Sequence, residues 1–451
     1  VVVQSTGTER ARSFNEQDGL FTTCIEGLED GEEVRRYAIR SSVSRAIPAR
    51  EEWGAVLDLA RSADLEIVTS NTTEVGIQLD REDRIDRSPP RSFPGKLTAV
   101  LYARYEAFSR SDRSGSTAEH GLTIVPTELI EANGETLRGI VLDLTREWEL
   151  GSDFREWVRE ANRFCNTLVD RIVTGRPDED HMPEHVDRIG YEDELLTVGE
   201  PYRLWAIEGG EEVAETLSFA EADEGIVLTD DIEPYRTRKV RILNGAHTTS
   251  VPVAYLAGGR TVLEMMEDEL TGPFVEELVR GEILPTVEEE VERPREFAED
   301  VLERFRNPFL EHQLLDITLQ ESTKLRHRVL PSVLAHREAR GTMPARLSFG
   351  FAAALLFLRG REKRDGRVYG RRGGEAYPIR DDRADWFLDA WRDVDPSDAA
   401  SIRGLVEKVA SETRFWGRDL TSVDGFVDAI AGHLQAQLEN GIRPALRDLS
   451  T

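Results

Sequence analysis

The spacing of the apolar residues changes near residue 230, and this change constrains the fold of the 451-residue chain more than any other feature. Before it, strand-like apolar runs at 65–74 and 122–126 alternate with segments of helical period at 53–60, 97–108 and 154–164. Such alternation is typical of an α/β domain with a largely parallel sheet. Beyond residue 230, segments of helical period dominate. We therefore predict an α/β domain over residues 1–230 and a mainly helical domain over 231–451.

Polar residues follow two of the predicted strands. Asn71, Thr72 and Thr73 end the first run, and Glu128 comes shortly after the second. Ligands of open α/β sheets bind beyond the carboxyl ends of the strands. We therefore expect these four residues to lie at a ligand site.

The segment 234–250 combines apolar and polar residues in a way that a simple core helix does not need. Apolar residues occur on several sides of its helical wheel, so a helix here would be buried nearly all round. At about 100° per residue, Lys239, His247 and Asn244 lie near about 0°, 80° and 140°, within one broad arc. A buried ammonium, imidazole or amide is costly without a polar partner. That partner is either a substrate oxygen or a set of internal hydrogen bonds.

Lysine is rare in this chain, which makes each lysine informative. Among 57 lysines and arginines only five are lysines, at positions 96, 239, 324, 363 and 408. Arginine stays charged, whereas a desolvated lysine can lose its proton near neutral pH and act as a base. Lys363 and Lys408 lie in charged or amphipathic segments and are predicted at the surface, so Lys96, Lys239 and Lys324 need another explanation.

The net charge of the chain is −29, and its sequence pI is about 4.8. A field of this sign repels nucleic acids and anionic membranes, so we expect neither as a partner. The acidic residues are spread along the chain and not gathered in a tail, which favours a salt-adapted surface.

Cysteine content and hydropathy limit the compartment. Cys24 and Cys165 are too few for a disulfide framework or a metal cluster. No apolar run approaches the roughly 18 residues that cross a bilayer, and we recognise no signal peptide. We expect a cytoplasmic protein without a metal ion, either monomeric or dimeric.

A glycine-rich segment at 365–374 invites comparison with a phosphate-binding loop. It is rich in arginine and lacks the strand–turn–helix setting of such loops. We therefore predict an exposed loop.

The residues Lys239, Asn244 and His247, preceded by the segment 166–172, resemble the mannitol dehydrogenase family of metal-independent long-chain polyol dehydrogenases. The segments 15–20, 70–74, 164–175, 243–248 and 304–308 are similar to the branch of this family that reduces keto-uronates. The resemblance extends over essentially the whole chain. It implies a Rossmann-like dinucleotide-binding domain, NAD as the cofactor, and interconversion of D-altronate and D-tagaturonate.

The resemblance also implies roles for individual residues. Lys239 would donate the proton in reduction and accept it in oxidation, with a pKa lowered by burial. Asn166 and Asn244 would donate amide N–H groups to the developing oxyanion, and His247 would orient the substrate or the lysine. Two alternatives stay open: Asn166 as a helix cap and His247 as a core histidine. By the same resemblance, Asn71, Thr72, Thr73 and Glu128 would bind the cofactor.

A uronate substrate carries a carboxylate, so a cation should face it. Lys324, Arg326 and Arg328 are the candidates for this contact, with Asp170 as a further substrate residue. Mannitol-acting members carry Arg and His upstream of the lysine that corresponds to Lys324. Asp316 and Leu319 stand there in this chain, which argues against a plain polyol substrate.

The beginning of the chain departs from the family pattern. Residues 1–4 resemble the second strand of the nucleotide-binding domain, so the first strand and the glycine-rich turn that holds the pyrophosphate are expected to be missing, as in a truncated sequence. No acid follows residues 1–4, so the choice of NAD over NADP rests on the resemblance. The competing hypotheses are fructuronate (mannonate) reduction, another polyol dehydrogenase activity, and a non-catalytic homologue without the cofactor turn.

Overall fold

The computed structural model describes residues 1–73, 75–109 and 117–449. Glu74, the last residue of the strand predicted at 65–74, lies outside them. The chain divides into two compact units. The first comprises Val1–Glu26 and Glu33–Ile232, and the second comprises Gly27–Glu32 and Glu233–Thr451.

The first unit mixes short strands with helices. Its strands are β1 (Val2–Gln4), β2 (Phe21–Glu29), β3 (Glu32–Arg40), β4 (Ala46–Pro48), β5 (Ile67–Ser70), β6 (Thr123–Pro126), β7 (Arg163–Phe164), β8 (Thr167–Asp170), β9 (Val173–Gly175), β10 (Thr197–Gly199), β11 (Leu204–Glu208) and β12 (Ile226–Thr229). Its α-helices are α1 (Glu9–Glu16), α2 (Trp53–Ala60), α3 (Phe93–Ser109), α4 (Asn133–Glu147), α5 (Ser152–Glu160), α6 (Met182–Ile189) and α7 (Glu211–Thr216). Two 3₁₀ turns lie at Thr117–His120 and Ser218–Ala222.

The strand pairs of the first unit are partly parallel and partly antiparallel. β5, β6 and β7 form a parallel sheet in that order, and β1 pairs with β4 in parallel. β11 lies between β12, which is parallel to it, and β8, which is antiparallel. β10 is likewise parallel to β2 and antiparallel to β9. The α/β character predicted for this half is confirmed, and its sheets are more mixed than predicted.

A buried core holds the parallel sheet of β5, β6 and β7 in place. Leu97 and Leu101 of α3, Ile124 of β6 and Leu137 of α4 belong to one hydrophobic cluster. Burial of such side chains contributes about 1.5–3 kcal/mol each. Within the same unit, the buried Arg104 guanidinium donates to four backbone carbonyls, those of residues 60, 62, 65 and 120. These bonds fix the segments that lead into β5 and β6.

Helices dominate the second unit, as predicted. Its α-helices are α8 (Glu233–Arg238), α9 (Gly245–Ala257), α10 (Val262–Glu267), α11 (Thr271–Glu277), α12 (Pro294–Phe305), α13 (Leu314–Ile317), α14 (Glu321–Lys324), α15 (Leu330–Arg340), α16 (Ala345–Phe357), α17 (Ala384–Ala390), α18 (Ala399–Ala410), α19 (Thr413–Trp416), α20 (Phe426–Asn440) and α21 (Ile442–Leu449). The 3₁₀ turns Leu284–Thr286 and Leu420–Ser422 complete the helical part.

Three segments of this unit are π-helical: π1 (Lys239–Asn244), π2 (Leu278–Ile283) and π3 (Leu325–Val329). Each continues directly from an α-helix. A π turn inserts one extra residue into a helical turn, and such turns are frequent at functional sites. π1 and π3 contain or adjoin most of the candidate residues of the second half.

The glycine-rich segment at 365–374 is not a loop, so that prediction is wrong. It belongs to an antiparallel three-stranded sheet of β13 (Glu362–Arg364), β14 (Arg367–Arg372) and β15 (Glu375–Pro378). Asp365, Gly366, Gly373 and Gly374 have positive φ angles, as the tight turns between the strands require. Val368 and Tyr377 are buried, which fixes the face that packs inward.

Among the described residues, no helix combines the length and the apolar character that a membrane span requires.

Candidate functional site

The loop after β5 is held by a buried carboxylate. Glu128 is 4% exposed, and its Oε1 accepts hydrogen bonds from the backbone N–H of Thr72 at 2.9 Å and from the Thr72 hydroxyl at 2.7 Å. Its Oε2 accepts from the Ser70 hydroxyl at 3.0 Å. Glu128 therefore fixes the start of the loop that follows β5. Asn71 and Thr73 are exposed, and they are the side chains of the predicted cofactor group that can meet a ligand.

Asn133 joins the strand ends to α4, and the sequence analysis missed it. It is 1% exposed, and its amide N–H groups donate to the carbonyl oxygens of Pro126 at 3.0 Å and Glu128 at 3.1 Å. Its Oδ1 accepts from the backbone N–H of Thr167 at 2.9 Å. The ends of β6 and the start of β8 are therefore tied to one amide. Its place next to Gly134 was the available signal, since an Asn-Gly pair after a strand often marks a turn.

Asn166 lies just before β8 and is half-buried. Its Oδ1 accepts from the backbone N–H of Glu135, in the first turn of α4, at 3.1 Å. Its Nδ2 donates to Oε2 of Glu208 at 3.0 Å. The oxygen thus takes the helix-capping role that was one of the two alternatives, while the amide N–H group is oriented by a carboxylate that the sequence analysis did not single out.

Asp170 lies at the other end of β8. It is buried and stands opposite Leu204 in the antiparallel register with β11. At about 3.3 Å per strand residue, its Cα is roughly 13 Å from that of Asn166. The structure therefore does not bring these two predicted site residues together.

π1 brings the three polar residues of the second half onto one face. In an α-helix Asn244 would lie about 140° around the axis from Lys239. The i→i+5 hydrogen bonding of a π-helix places the fifth residue about one turn above the first, and π1 spans these two residues. His247 follows three residues later in α9, nearly a full α-helical turn on. Lys239 and Asn244 are half-buried, and His247 is buried.

The imidazole of His247 is packed between aromatic rings. It stacks on Phe305 with ring centres 4.0 Å apart, and it meets His312 edge-on at 5.7 Å. Its Nε2 is buried and has no hydrogen-bond partner among the described residues. Desolvation holds its pKa well below its usual range, and nearby His312, Arg304, Arg328 and Lys324 act in the same direction. His247 is therefore a neutral imidazole at neutral pH.

Two of the three cations predicted to bind the substrate carboxylate belong to the surroundings of His247. Lys324 and Arg328 both lower the pKa of the imidazole, and burial lowers the pKa of each of these cations. The Lys324 ammonium donates to the carbonyl oxygen of Ile317 at 2.6 Å. Arg326 is directed elsewhere: a Cβ placed on Gly417 would lie 2.8 Å from its Nη2. Arg326 therefore packs against the end of α19.

Lys96, for which the sequence suggested no role, lies in the first turn of α3. It is 7% exposed, and its ammonium donates to the carbonyl oxygen of Arg91 at 2.8 Å. Burial lowers its pKa, and the carboxylate of Asp83 opposes that shift. These contacts fit a packing role at the start of α3.

The predicted site residues fall into both units. Asn71, Thr73 and Asn166 belong to the first, as does Glu208, which was not predicted, whereas the side chains around His247 belong to the second. Within the described ranges, no group of three or more His, Cys, Asp or Glu side chains is arranged to hold a metal ion. The chemistry these groups offer is a primary amine, amide donors and a neutral imidazole near two half-buried cations.

Two sequence models of one family match the chain. The mannitol dehydrogenase Rossmann domain matches residues 1–221, and the mannitol dehydrogenase C-terminal domain matches residues 231–438. Among curated proteins, the altronate oxidoreductase of Bacillus subtilis (strain 168) is 40% identical over 447 residues, covering 99% of this chain and 87% of that protein. The altronate oxidoreductase of Shigella flexneri is 41% identical over 453 residues, covering 100% of this chain and 90% of that protein.

Solved structures show the same fold. The Pseudomonas fluorescens mannitol 2-dehydrogenase, in a ternary complex with NAD and D-mannitol, matches with a TM-score of 0.66 at 23% identity, covering 99% of this chain and 87% of that one. A D-sorbitol dehydrogenase in substrate-free form matches with a TM-score of 0.75 at 19% identity, covering 98% of this chain and 88% of that one. A Rossmann-like domain followed by a mainly helical domain, as predicted, is confirmed.

Proposed function

We propose that this chain, which belongs to the mannitol dehydrogenase family, is an NAD-dependent oxidoreductase that interconverts D-altronate and D-tagaturonate. The family follows from the two matching domain models and from relatives about 40% identical over nearly the whole chain. Altronate oxidoreductase is the name those relatives carry. The observation that carries the assignment to an acid substrate is the pair of half-buried cations, Lys324 and Arg328, beside a neutral His247.

The pair of cations favours an acid over a plain polyol. Withdrawing a cation even partly from water is costly unless an opposite charge meets it. The Lys324 ammonium donates one of its three N–H groups to the Ile317 carbonyl oxygen, and its other N–H groups can donate to a ligand. A sugar-acid carboxylate would give both Lys324 and Arg328 a charged partner from the substrate, whereas a terminal hydroxymethyl group would not.

The edge of the parallel sheet fits a dinucleotide. Asn71 and Thr73 are exposed at the carboxyl end of β5, on a loop that Glu128 fixes through Thr72. Asn71, Thr72 and Thr73 would hold NAD there, and Glu128 would act by positioning them. Bound NAD supplies the hydride-accepting and hydride-donating chemistry. A fixed loop with outward polar groups is the arrangement that nucleotide binding at a strand end requires.

We assign proton transfer and stabilisation of the oxyanion to the residues of π1 and to Asn166. Lys239 would give a proton to the substrate oxygen in reduction and remove it in oxidation, as general acid–base catalysis requires. Asn244 follows on the same face and would donate an N–H group to the oxyanion. Asn166 has a second N–H group beyond the one donated to Glu208, so it can do the same. His247 would receive a substrate hydroxyl at its unpartnered Nε2.

We assign the nucleotide-binding function to residues 1–230 and substrate binding to residues 231–451, with a small sugar acid as the partner. A cytoplasmic location is supported by the two free, buried cysteines. Monomer and dimer both stay compatible with these assignments.

The test is a substrate panel with the purified chain. NADH oxidation is measured with D-tagaturonate, D-fructuronate and D-fructose, and NAD reduction with D-altronate and D-mannitol. We expect the highest kcat/KM with D-tagaturonate and D-altronate. A preference for D-fructuronate would move the chain to the alternative reductase activity. Absence of any turnover, together with no quenching of NADH fluorescence on mixing, would overturn the enzyme assignment in favour of a non-catalytic homologue.

A further inference from the structure

Glu321, the first residue of α14, is a buried carboxyl group without a partner. Its side chain is 0% exposed. Neither of its carboxyl oxygens has a hydrogen-bond partner in the part of the chain that the structure describes. A charged carboxylate in such a place costs several kcal/mol or more, so the group is neutralised by taking up a proton. Desolvation accordingly raises its pKa to about 8, against the opposing effect of the Lys324 charge.

The position of α14 does not depend on Glu321. The next residue, Ser322, donates its backbone N–H and its hydroxyl to the two carboxylate oxygens of Asp381, each at 2.8 Å. The N–H of Gln320 donates to the carbonyl oxygen of Arg380 at 2.8 Å. These bonds hold the start of the helix. The carboxyl group of Glu321 is therefore not needed as an anchor, and another explanation for its burial is required.

Charged groups face Glu321 from its own segment and from a neighbouring one. Lys324 lies one helical turn further along α14, on the same side, and Arg328 follows in π3. Asp381, beyond β15, adds a negative charge that favours the protonated form of Glu321. Arg380 adds a positive charge near Lys324. The two cations that act on Glu321 are thus the ones proposed to bind the substrate carboxylate.

We propose that Glu321 is a positioning residue that couples binding of the sugar-acid carboxylate to the uptake of one proton, an inference that rests on the proposed function. When Glu321 is ionised, its negative charge competes with an incoming carboxylate for Lys324 and Arg328. When the carboxylate binds, a proton passes from solvent to a Glu321 carboxyl oxygen. Lys324 and Arg328 then interact with the substrate carboxylate without competition from Glu321. No bond to the substrate is made or broken at Glu321.

The pH dependence of binding follows from this exchange. Below about pH 8 the carboxyl group already carries its proton, so binding takes up none and KM is independent of this group. Above about pH 8 each bound substrate needs one proton from solvent, so KM rises about tenfold per pH unit. The rate constant kcat is not changed by Glu321, since the bound complex has the proton in place.

The test compares wild type with Glu321→Gln, which keeps the shape and removes the titration. The KM of D-tagaturonate with NADH is measured between about pH 7 and about pH 10. We expect KM to rise with pH in wild type and to stay nearly level in the variant, with kcat alike in both. Glu338→Gln removes a carboxylate from the exposed part of α15 and serves as the control; it should follow wild type. Parallel KM profiles for wild type and Glu321→Gln would overturn the proposal.

Proton uptake is measured separately, by calorimetry of D-tagaturonate binding to the complex with oxidised NAD in two buffers of different ionisation heat. Near pH 9 wild type should take up about one proton and Glu321→Gln about none. Equal uptake by both would overturn the coupling. Glu321→Met, also neutral and of similar size, replaces Glu321→Gln if the latter does not fold.

A readout that needs no turnover separates this proposal from the proposed function. Carbon-13 NMR of the glutamate-labelled chain should show a carboxyl resonance that titrates near pH 8 and is absent from Glu321→Gln. If this resonance is found but no keto-uronate is reduced, the proposed function fails while the protonation of Glu321 stands. If the carboxyl group is already ionised at neutral pH, the coupling is overturned whatever the activity.

Discussion

The imidazole of His247 stacks on the ring of Phe305, with ring centres 4.0 Å apart and planes inclined by 15°. Phe305 ends α12, whereas His247 lies in the first turns of α9, so the stack fixes one helix against the other. His247 lacks a partner for its Nε2 among the residues described here, and this ring contact is what keeps that nitrogen in position.

Substitution of Phe305 should therefore lower kcat/KM, and by more than the loss of a core ring that does not contact His247. An aromatic pair contributes about 0.5–1.5 kcal/mol beyond area burial, so Phe305→Leu should reduce kcat/KM for D-tagaturonate roughly 2- to 10-fold. Phe351→Leu removes a buried ring of the same size from a cluster with Trp416 and Phe426 and is the control. The two variants are compared by steady-state kinetics and thermal unfolding. Equal losses of kcat/KM in both would contradict a role for the stack.

Removal of the Lys239 amine should abolish most turnover. General acid–base catalysis contributes about 10²- to 10⁴-fold, so Lys239→Ala should lower kcat by that order while NADH affinity stays nearly unchanged. Lys363→Ala, which removes an exposed amine paired with Asp385, should behave as wild type. Stopped-flow hydride transfer and NADH fluorescence measure the two quantities. Full activity of Lys239→Ala would remove the assigned proton transfer.

Substitutions of Lys324, Arg326 and Arg328 should differ in their effects on the KM of an acidic and of a neutral substrate. Lys324→Ala and Arg328→Ala should each raise the KM of D-tagaturonate by about 10- to 100-fold, because a charge-assisted hydrogen bond contributes about 1.5–3 kcal/mol. The KM of neutral D-fructose should change far less. Arg326→Ala should leave both values near wild type, since this guanidinium packs at Gly417. If Arg326→Ala alone raised the KM of the acid, the carboxylate site would have to be moved to α19.

Part of this site could be predicted from sequence, because side-chain chemistry and helical period are local properties. The polar face of Lys239, Asn244 and His247 was evident from their spacing. The π turn that aligns them was not, because it depends on packing between distant segments. A Cβ on Gly245, just after π1, would lie 2.8 Å from the carbonyl oxygen of Arg328 in π3. That close approach joins residues more than 80 positions apart, which no local pattern reveals.

Glu321 and the strands β13–β15 illustrate two further limits. In the sequence Glu321 is an ordinary charged residue three positions before Lys324. Only the structure shows that it is enclosed and has no hydrogen-bond partner in the described part of the chain. The sequence of the strands did contain a signal. Asp365-Gly366 is a common sequence for a tight hairpin turn. The second turn, at Gly373 and Gly374, lies between Val368 and Tyr377, which are buried. The arginine content of that segment favoured a loop, and its turn residues were the better guide.

The buried histidine should make the chain less stable in acid. The pKa of folded His247 lies well below its usual value near 6.5, so below about pH 6.5 the unfolded chain binds a proton that the folded chain does not. The free energy of unfolding therefore falls as pH falls through that range. His247→Asn should reduce this slope, whereas His336→Asn, at a half-buried position on α15, should not. Urea unfolding between about pH 5 and about pH 7 measures the slopes, and identical slopes for wild type and His247→Asn would contradict the assignment.

Asn166 serves two purposes that can be separated by exchanging groups with Glu208. Its oxygen caps α4 through the N–H of Glu135, and its amide N–H group donates to Glu208. Asn166→Asp keeps the cap but places a second carboxylate beside Glu208, so it should destabilise the first unit by like-charge repulsion.

Adding Glu208→Gln to Asn166→Asp restores the hydrogen bond with its direction reversed, because the amide now stands at position 208 and donates to the carboxylate at position 166. The double variant should recover near wild-type stability in thermal unfolding. Its kcat should nevertheless stay about 10²- to 10³-fold low, since the proposed oxyanion donor is gone and an anion stands in its place. Recovery of activity together with stability would show that Asn166 acts only as a cap.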